Sequence, residues 1–125
     1  MIDILNIAAA VLSIIFGAFG FLAPRYTAGV LDLKVGDTTM GLSEIRASVG
    51  CMFIAMGGAS LWFGEPWAYL MLGFVYVGAT LGRGLSLIMD SPPFPKAHLY
   101  FLFELVFAGW LIWANLGPTL ALSTG

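Results

Sequence analysis

Four long apolar stretches dominate the pattern of hydrophobic and polar positions along the chain. They cover residues 4–22, 42–63, 67–89 and 99–116. Each has roughly 18–23 residues, the length with which an α-helix crosses the hydrocarbon core of a bilayer. The pattern therefore predicts an all-α fold, an integral membrane four-helix bundle with antiparallel, up-down topology.

The breaks between these stretches carry the signals that end and begin helices. Ser43 is a good N-cap for the second span. The segment Gly64-Glu65-Pro66 has room only for a tight connection between antiparallel helices, and its proline suits a first helical turn. The segment from Ser91 to Pro95 contains three prolines, which forbid a continuous helix there.

The connection at residues 23–41 is the only long one. Within it Leu31, Leu33 and Val35 alternate with the charged residues Asp32 and Lys34. This alternation is typical of a short half-buried strand or of a segment that lies in the membrane interface. We expect the connection to fold back on the membrane surface and to cap the bundle.

The composition agrees with a membrane location and argues against several classes of site. The chain has 125 residues, of which 60% are hydrophobic and 10% charged, whereas a soluble domain carries about 25% charged residues. We expect residues 1–125 to form a single membrane domain. The net charge of −2 gives no basic face for nucleic acid. With Cys51 and His98 as the single cysteine and histidine, neither a disulfide nor a metal site is predicted.

The basic residues predict the orientation in the membrane. All five lie on the side of the first and third connections: Arg25, Lys34, Arg46, Arg83 and Lys96. The positive-inside rule places that side in the cytoplasm. We therefore expect a multi-pass protein of the bacterial inner membrane with both termini in the periplasm. The first stretch has no basic residue before it, so we interpret it as a retained span and not as a cleaved signal.

Four charged residues fall inside the predicted spans at the cytoplasmic end. Glu44 and Arg46 lie in the first turns of the second span, Arg83 in the last turns of the third, and Glu104 in the first turns of the fourth. Charges in hydrocarbon are costly, so such residues face the protein interior and pair with one another. We predict a pair of Arg83 with Glu104, and a pair of Arg46 with Glu44 or Glu104.

These charges leave three interpretations open. Ion pairs can lock the helices in register, and Arg46 can reach lipid phosphates at the interface. Alternatively, the four side chains form a ligand-binding site, or they belong to a proton or ion pathway. Small residues suggest close helix packing at three further pairs of positions, which are Gly17 with Gly20, Gly50 with Gly57, and Gly78 with Gly82.

The chain resembles a known family in two motifs and two single residues. They are the segment from Gly41 to Ala47, the segment from Leu81 to Ser86, Asp90 and Pro92. The family is a bacterial group of small four-span membrane proteins described as domain of unknown function 4345. The resemblance extends from Phe21 into the fourth span. It implies a four-helix membrane bundle with an acid and arginines at one end, and it implies no reaction or cofactor. In size and topology the chain is also distantly similar to DoxX-type proteins, some of which are subunits of quinone-linked oxidoreductases.

Three functions remain in view. The first is an accessory or structural subunit of a larger membrane complex or a homo-oligomer, which predicts an exposed helix face of small or aromatic residues. The second is a binder or carrier of a lipid-, quinone- or isoprenoid-like molecule, held by Glu44, Arg46, Arg83 and Glu104. The third is a membrane enzyme in which Glu104 acts as an acid or base beside Arg83. We favour the first, with membrane lipid as a constant partner.

Overall fold

The computed structural model of the chain describes residues 2–124 and is helical along most of that length, with no strand in the described part. The helices are α1 (Ile2–Leu22), α2 (Pro24–Val30), α3 (Met40–Glu44), α4 (Met52–Phe63), α5 (Pro66–Met89) and α6 (Lys96–Thr124). A π-helical segment, Ile45–Cys51, joins α3 to α4. The prediction of an all-α fold is confirmed.

Four helices among the described residues are long and apolar enough to cross a membrane. They are Asp3–Leu22, Met40–Phe63, Pro66–Met89 and Lys96–Thr124. The second of these is one continuous helix made of α3, the π-helical segment and α4. It begins at Met40, after Thr39 at the N-cap position, so the prediction of Ser43 as the N-cap is wrong. Large apolar side chains lie on the outside, among them Trp62 and Ile88 at 86% and 81% exposure. Only lipid is a suitable solvent for such a surface, so the chain is a multi-pass membrane protein.

The last span is longer than the sequence indicates. The apolar pattern predicted a span at residues 99–116, but α6 begins at Lys96 and continues through Pro118 to Thr124. A proline removes one backbone donor and kinks a helix without always ending it. In lipid the residues beyond it still satisfy their backbone groups best as a helix. The hydroxyls of Ser123 and Thr124 donate to the carbonyl of Leu120 and close the last turn.

The long connection holds a short helix that the sequence analysis missed. Pro24 occupies the first turn of α2, where its missing N–H is not needed. Backbone bonds from Thr27 to Ala23 (3.0 Å) and from Leu31 to Thr27 (2.9 Å) form the helix, whose buried face contacts the π-helical segment. No strand forms at residues 31–35, so the strand interpretation is wrong. The interfacial location of this segment stays a prediction.

The described residues form two compact units, one spanning Asp3–Phe63 and one beginning at Gly64. In the first unit α1 packs closely against the second span through glycines. A Cβ added at Gly17 would lie 2.6 Å from the carbonyl oxygen of Gly50, and one at Gly57 would lie 2.7 Å from that of Ala10. Such distances leave no room for a side chain, so the close packing predicted for these glycines is confirmed.

The second unit is an antiparallel pair of α5 and α6. Near the start of α5, a Cβ at Gly73 would lie 2.9 Å from the Cβ of Leu111. Near its end, a Cβ at Gly84 would lie 3.2 Å from the ring of Phe101. The later residue of α5 thus contacts the earlier residue of α6, which shows that the two helices are antiparallel. Within this unit the close-contact glycines are therefore not the predicted pair, Gly78 and Gly82.

Candidate functional site

The predicted ion pair between α5 and α6 is present. The Nε of Arg83 lies 2.7 Å from the Oε1 of Glu104 and donates a hydrogen bond to it. Gly84, the next residue of α5, lets the helix approach Phe101 closely enough for this contact. The two charges neutralise each other inside a span, which offsets part of the cost of placing them there.

Tyr100 forms the third member of this site. The Cζ of Arg83 lies 5.5 Å from the centre of the Tyr100 ring, within the range of a cation–π contact. Tyr100 precedes Glu104 by four residues on α6, so both side chains lie on one helix face. The contact of Tyr100 with Arg83 was not predicted from the sequence, although the spacing of four between Tyr100 and Glu104 indicated it. Arg83 is thus held by two residues of a single helix turn.

The carboxylate of Glu104 is not fully satisfied. Its side chain is 14% exposed and that of Arg83 is 34% exposed. The Oε1 oxygen accepts from Arg83, whereas the buried Oε2 accepts no hydrogen bond from the described residues. A buried charged oxygen without a donor costs free energy, so this atom has the capacity to bind one more donor.

Arg46 is engaged differently from the prediction. Its Nη1 donates a hydrogen bond to the backbone carbonyl of Phe21, in the last turn of α1. Carbonyls at a helix C-terminus lack internal donors, and the N–H that Pro24 lacks increases the deficit here. The guanidinium also lies at the negative end of the helix dipole. The pairing of Arg46 with Glu44 is therefore wrong, and the alternative pairing with Glu104 stays a prediction.

Glu44 is exposed and bonded within its own helix. Its Oε2 accepts from the Oγ of Ser48, four residues later, at 3.4 Å. Of the four predicted site residues, the structure thus joins Arg83 and Glu104 in the second unit and describes Glu44 and Arg46, each with its own partner, in the first. A shared ligand-binding role for all four stays a prediction.

The second unit also has an apolar groove between α5 and α6. It has a volume of about 660 Å³ and is largely open rather than enclosed. Its lining includes Val77 and Leu81 of α5 and Gly109, Trp113 and Gly117 of α6. Its position was not predicted from the sequence, although the spacing of four between Gly109, Trp113 and Gly117 places them on one helix face. The groove has the small and aromatic residues expected of a helix-docking face.

The described residues contain no group of three or more His, Cys, Asp and Glu side chains placed to hold a metal ion. Comparison with known proteins gives one informative result. A family model described as domain of unknown function, DUF4345, matches residues 1–115. No curated protein and no solved structure gives a significant match, so the similarity to DoxX-type proteins has no support from these comparisons. Since the match covers nearly the whole chain, this small four-span membrane protein belongs to the DUF4345 family.

Proposed function

We propose that the protein is a structural subunit of a membrane assembly and that it receives a transmembrane helix of its partner in the groove between α5 and α6. The observation that carries the proposal is the glycine lining of that groove. A Cβ added at Gly109 or at Gly117 would meet no described atom within 4 Å. These glycines therefore serve no contact within the described chain.

A glycine inside a helix has a measurable cost. It lowers helix stability by about 1 kcal/mol relative to alanine. In α5 the cost at Gly73 is offset by close packing on Leu111, but no such contact offsets it at Gly109 or Gly117. Small residues on a lipid-exposed face let a second helix backbone approach closely, and the van der Waals packing gained in this way favours helix association in membranes. A partner helix supplies the missing contact.

The contacts made by the two arginines inside the spans support the same proposal. The Arg83 guanidinium binds Glu104 and Tyr100, and the Arg46 guanidinium binds the end of α1. Both arginines thus stabilise contacts within the chain. A protein whose polar side chains hold its own helices together and whose open groove is apolar is suited to assembly.

Native gel electrophoresis of gently solubilised membranes tests this proposal. Gly109→Leu fills the groove. Gly58→Leu is a matched control, because Gly58 of α4 also has no close described neighbour but does not line the groove. We expect wild type and Gly58→Leu to migrate as a complex and Gly109→Leu to migrate as the free chain. Migration of the wild type at the mass of a single chain would contradict the proposal.

A second candidate function is the binding or carrying of a lipid-, quinone- or isoprenoid-like molecule. The Glu104 Oε2 atom favours it, because that buried oxygen lacks a donor among the described residues. That Glu44 and Arg46 take part in binding the same molecule is a prediction from the sequence. Retention of a small molecule by the purified wild type, and its loss in Arg83→Ala, would support it.

A further inference from the structure

The corner formed by Arg83, Tyr100 and Glu104 presents an acceptor and several donors side by side. The Oε2 of Glu104 has no donor among the described residues. The guanidinium carries five N–H groups, of which the Nε–H is bound to Oε1. The described residues give its two Nη nitrogens no hydrogen bond, and the arginine side chain is 34% exposed.

A ligand group that fits this arrangement carries an N–H donor for the Glu104 oxygen next to an oxyanion for the Arg83 N–H groups. Arginine binds phosphate through parallel N–H contacts, and a carboxylate binds an ammonium through a charge-assisted hydrogen bond. The Arg83–Glu104 pair carries one charge of each sign, so a ligand of zero net charge leaves the site neutral. An anionic ligand would leave an uncompensated charge in a medium of low dielectric constant.

We propose that this corner binds the head group of an aminoethyl phospholipid, with the phosphate on the Nη groups of Arg83 and the ammonium on the Oε2 of Glu104. The proposal rests on the second candidate function and not on the assembly role. The ring of Tyr100 covers one face of the guanidinium, so the phosphate approaches along its edge, where the N–H groups point.

The depth of the corner suits a lipid head group. Arg83 lies six residues before Met89, the last residue of α5, which is a distance of about 9 Å along the helix axis. The head-group layer is roughly 5–8 Å thick on each side of the hydrocarbon core. When the end of α5 lies at the outer surface of the head-group layer, Arg83 lies near the boundary between that layer and the hydrocarbon core. Because Oε2 is covered in the described arrangement, binding requires a rotamer change, which is common when ligands bind.

Native mass spectrometry of the purified protein with defined lipids tests the proposal. Four lipids with identical acyl chains form the series: phosphatidylethanolamine, its N-methyl and N,N-dimethyl derivatives, and phosphatidylcholine. All have a phosphate and a positive nitrogen, but phosphatidylcholine has no N–H. We expect the first three to be retained about tenfold better than phosphatidylcholine, the size of effect of one charge-assisted hydrogen bond. Equal retention of all four would overturn the proposal.

Glu104→Gln and Glu65→Gln complete the experiment. Glu65 is exposed and precedes the first turn of α5, at the other end of the helix from Arg83. We expect Glu104→Gln to retain ethanolamine and choline lipids equally and Glu65→Gln to keep the wild-type ratio. An unchanged ratio in Glu104→Gln would overturn the proposal. If Glu104→Gln does not fold, the wild-type series decides, and neither result alters the native-gel test of the groove.

Discussion

The guanidinium of Arg46 donates a hydrogen bond to the backbone carbonyl of Phe21, so that a side chain of the second span closes the C-terminus of the first. The contact occurs where the second span is π-helical. Gly50, four residues after Arg46, lies so close to Phe21 that an added Cβ would be 2.6 Å from its backbone nitrogen. One residue of α1 is thus held by a hydrogen bond and by backbone packing from the same segment.

Replacement of Arg46 tests the hydrogen bond. Arg46→Ala leaves the last turn of α1 without this donor, and we expect the free energy of unfolding to fall by about 1 kcal/mol, because the side chain is exposed. Thermal unfolding in a mild detergent measures the change. Arg25→Ala is the control, since it removes an exposed cation of the same unit. Equal melting temperatures for Arg46→Ala and wild type would contradict the role in capping.

Replacement of Gly50 tests the backbone packing. Gly50→Ala places a methyl group against Phe21, and we expect a loss of about 1–3 kcal/mol, the usual range for an overpacked contact. Gly58→Ala is the matched control in the same span, because a Cβ there meets no described atom within 4 Å. That change should leave stability unchanged or raise it by less than about 1 kcal/mol. The same melting temperature for both variants would be inconsistent with the close approach of α1.

A double-mutant cycle tests the pair of Arg83 and Glu104. Arg83→Met and Glu104→Leu each leave one charge without its partner, and we expect each to destabilise the protein by about 1–3 kcal/mol. The double variant should be more stable than the sum of the single changes predicts, with a coupling energy of about 0.5–3 kcal/mol. Unfolding of the four proteins in one detergent gives the coupling. Additive changes would show that the two side chains do not interact.

The orientation in the membrane is open to a direct chemical test. In a Cys51→Ser background, a single cysteine replaces Asp37 in the first connection or Glu65 in the second. The positive-inside rule predicts that a membrane-impermeant thiol reagent applied to whole cells labels the cysteine at 65 and not the one at 37. The reverse pattern would place the termini in the cytoplasm.

The spans and one ion pair followed directly from the sequence. Length and hydropathy determine where a helix crosses a bilayer, so the four spans were predictable. Arg83 and Glu104 were predictable as partners because neighbouring antiparallel helices bring the end of one beside the start of the next. Burial in lipid then leaves each charge few alternatives to the other.

Other features depend on contacts that sequence patterns do not encode. The target of Arg46 is a backbone carbonyl, and any residue type at position 21 offers one. The π-helical segment is a local change of backbone hydrogen bonding, and no pattern of apolar residues predicts it. The helix α2 is too short to show a period, although Pro24 marked its start. The groove lies along α5 between Gly73 and Gly84, where a Cβ would meet α6 closely, and the apolar pattern does not encode how near the two helices come.

Site-specific photocrosslinking in living cells tests the assembly role most directly. A photoreactive phenylalanine analogue replaces Trp113 in the groove or, as the control, Met52 at the start of α4, both of which are exposed apolar positions. We expect irradiation to give one discrete protein adduct of defined mass from position 113 and none from position 52. If position 113 reacts with lipid alone, or if the two positions give the same products, the groove does not hold a partner helix and the assembly role is wrong.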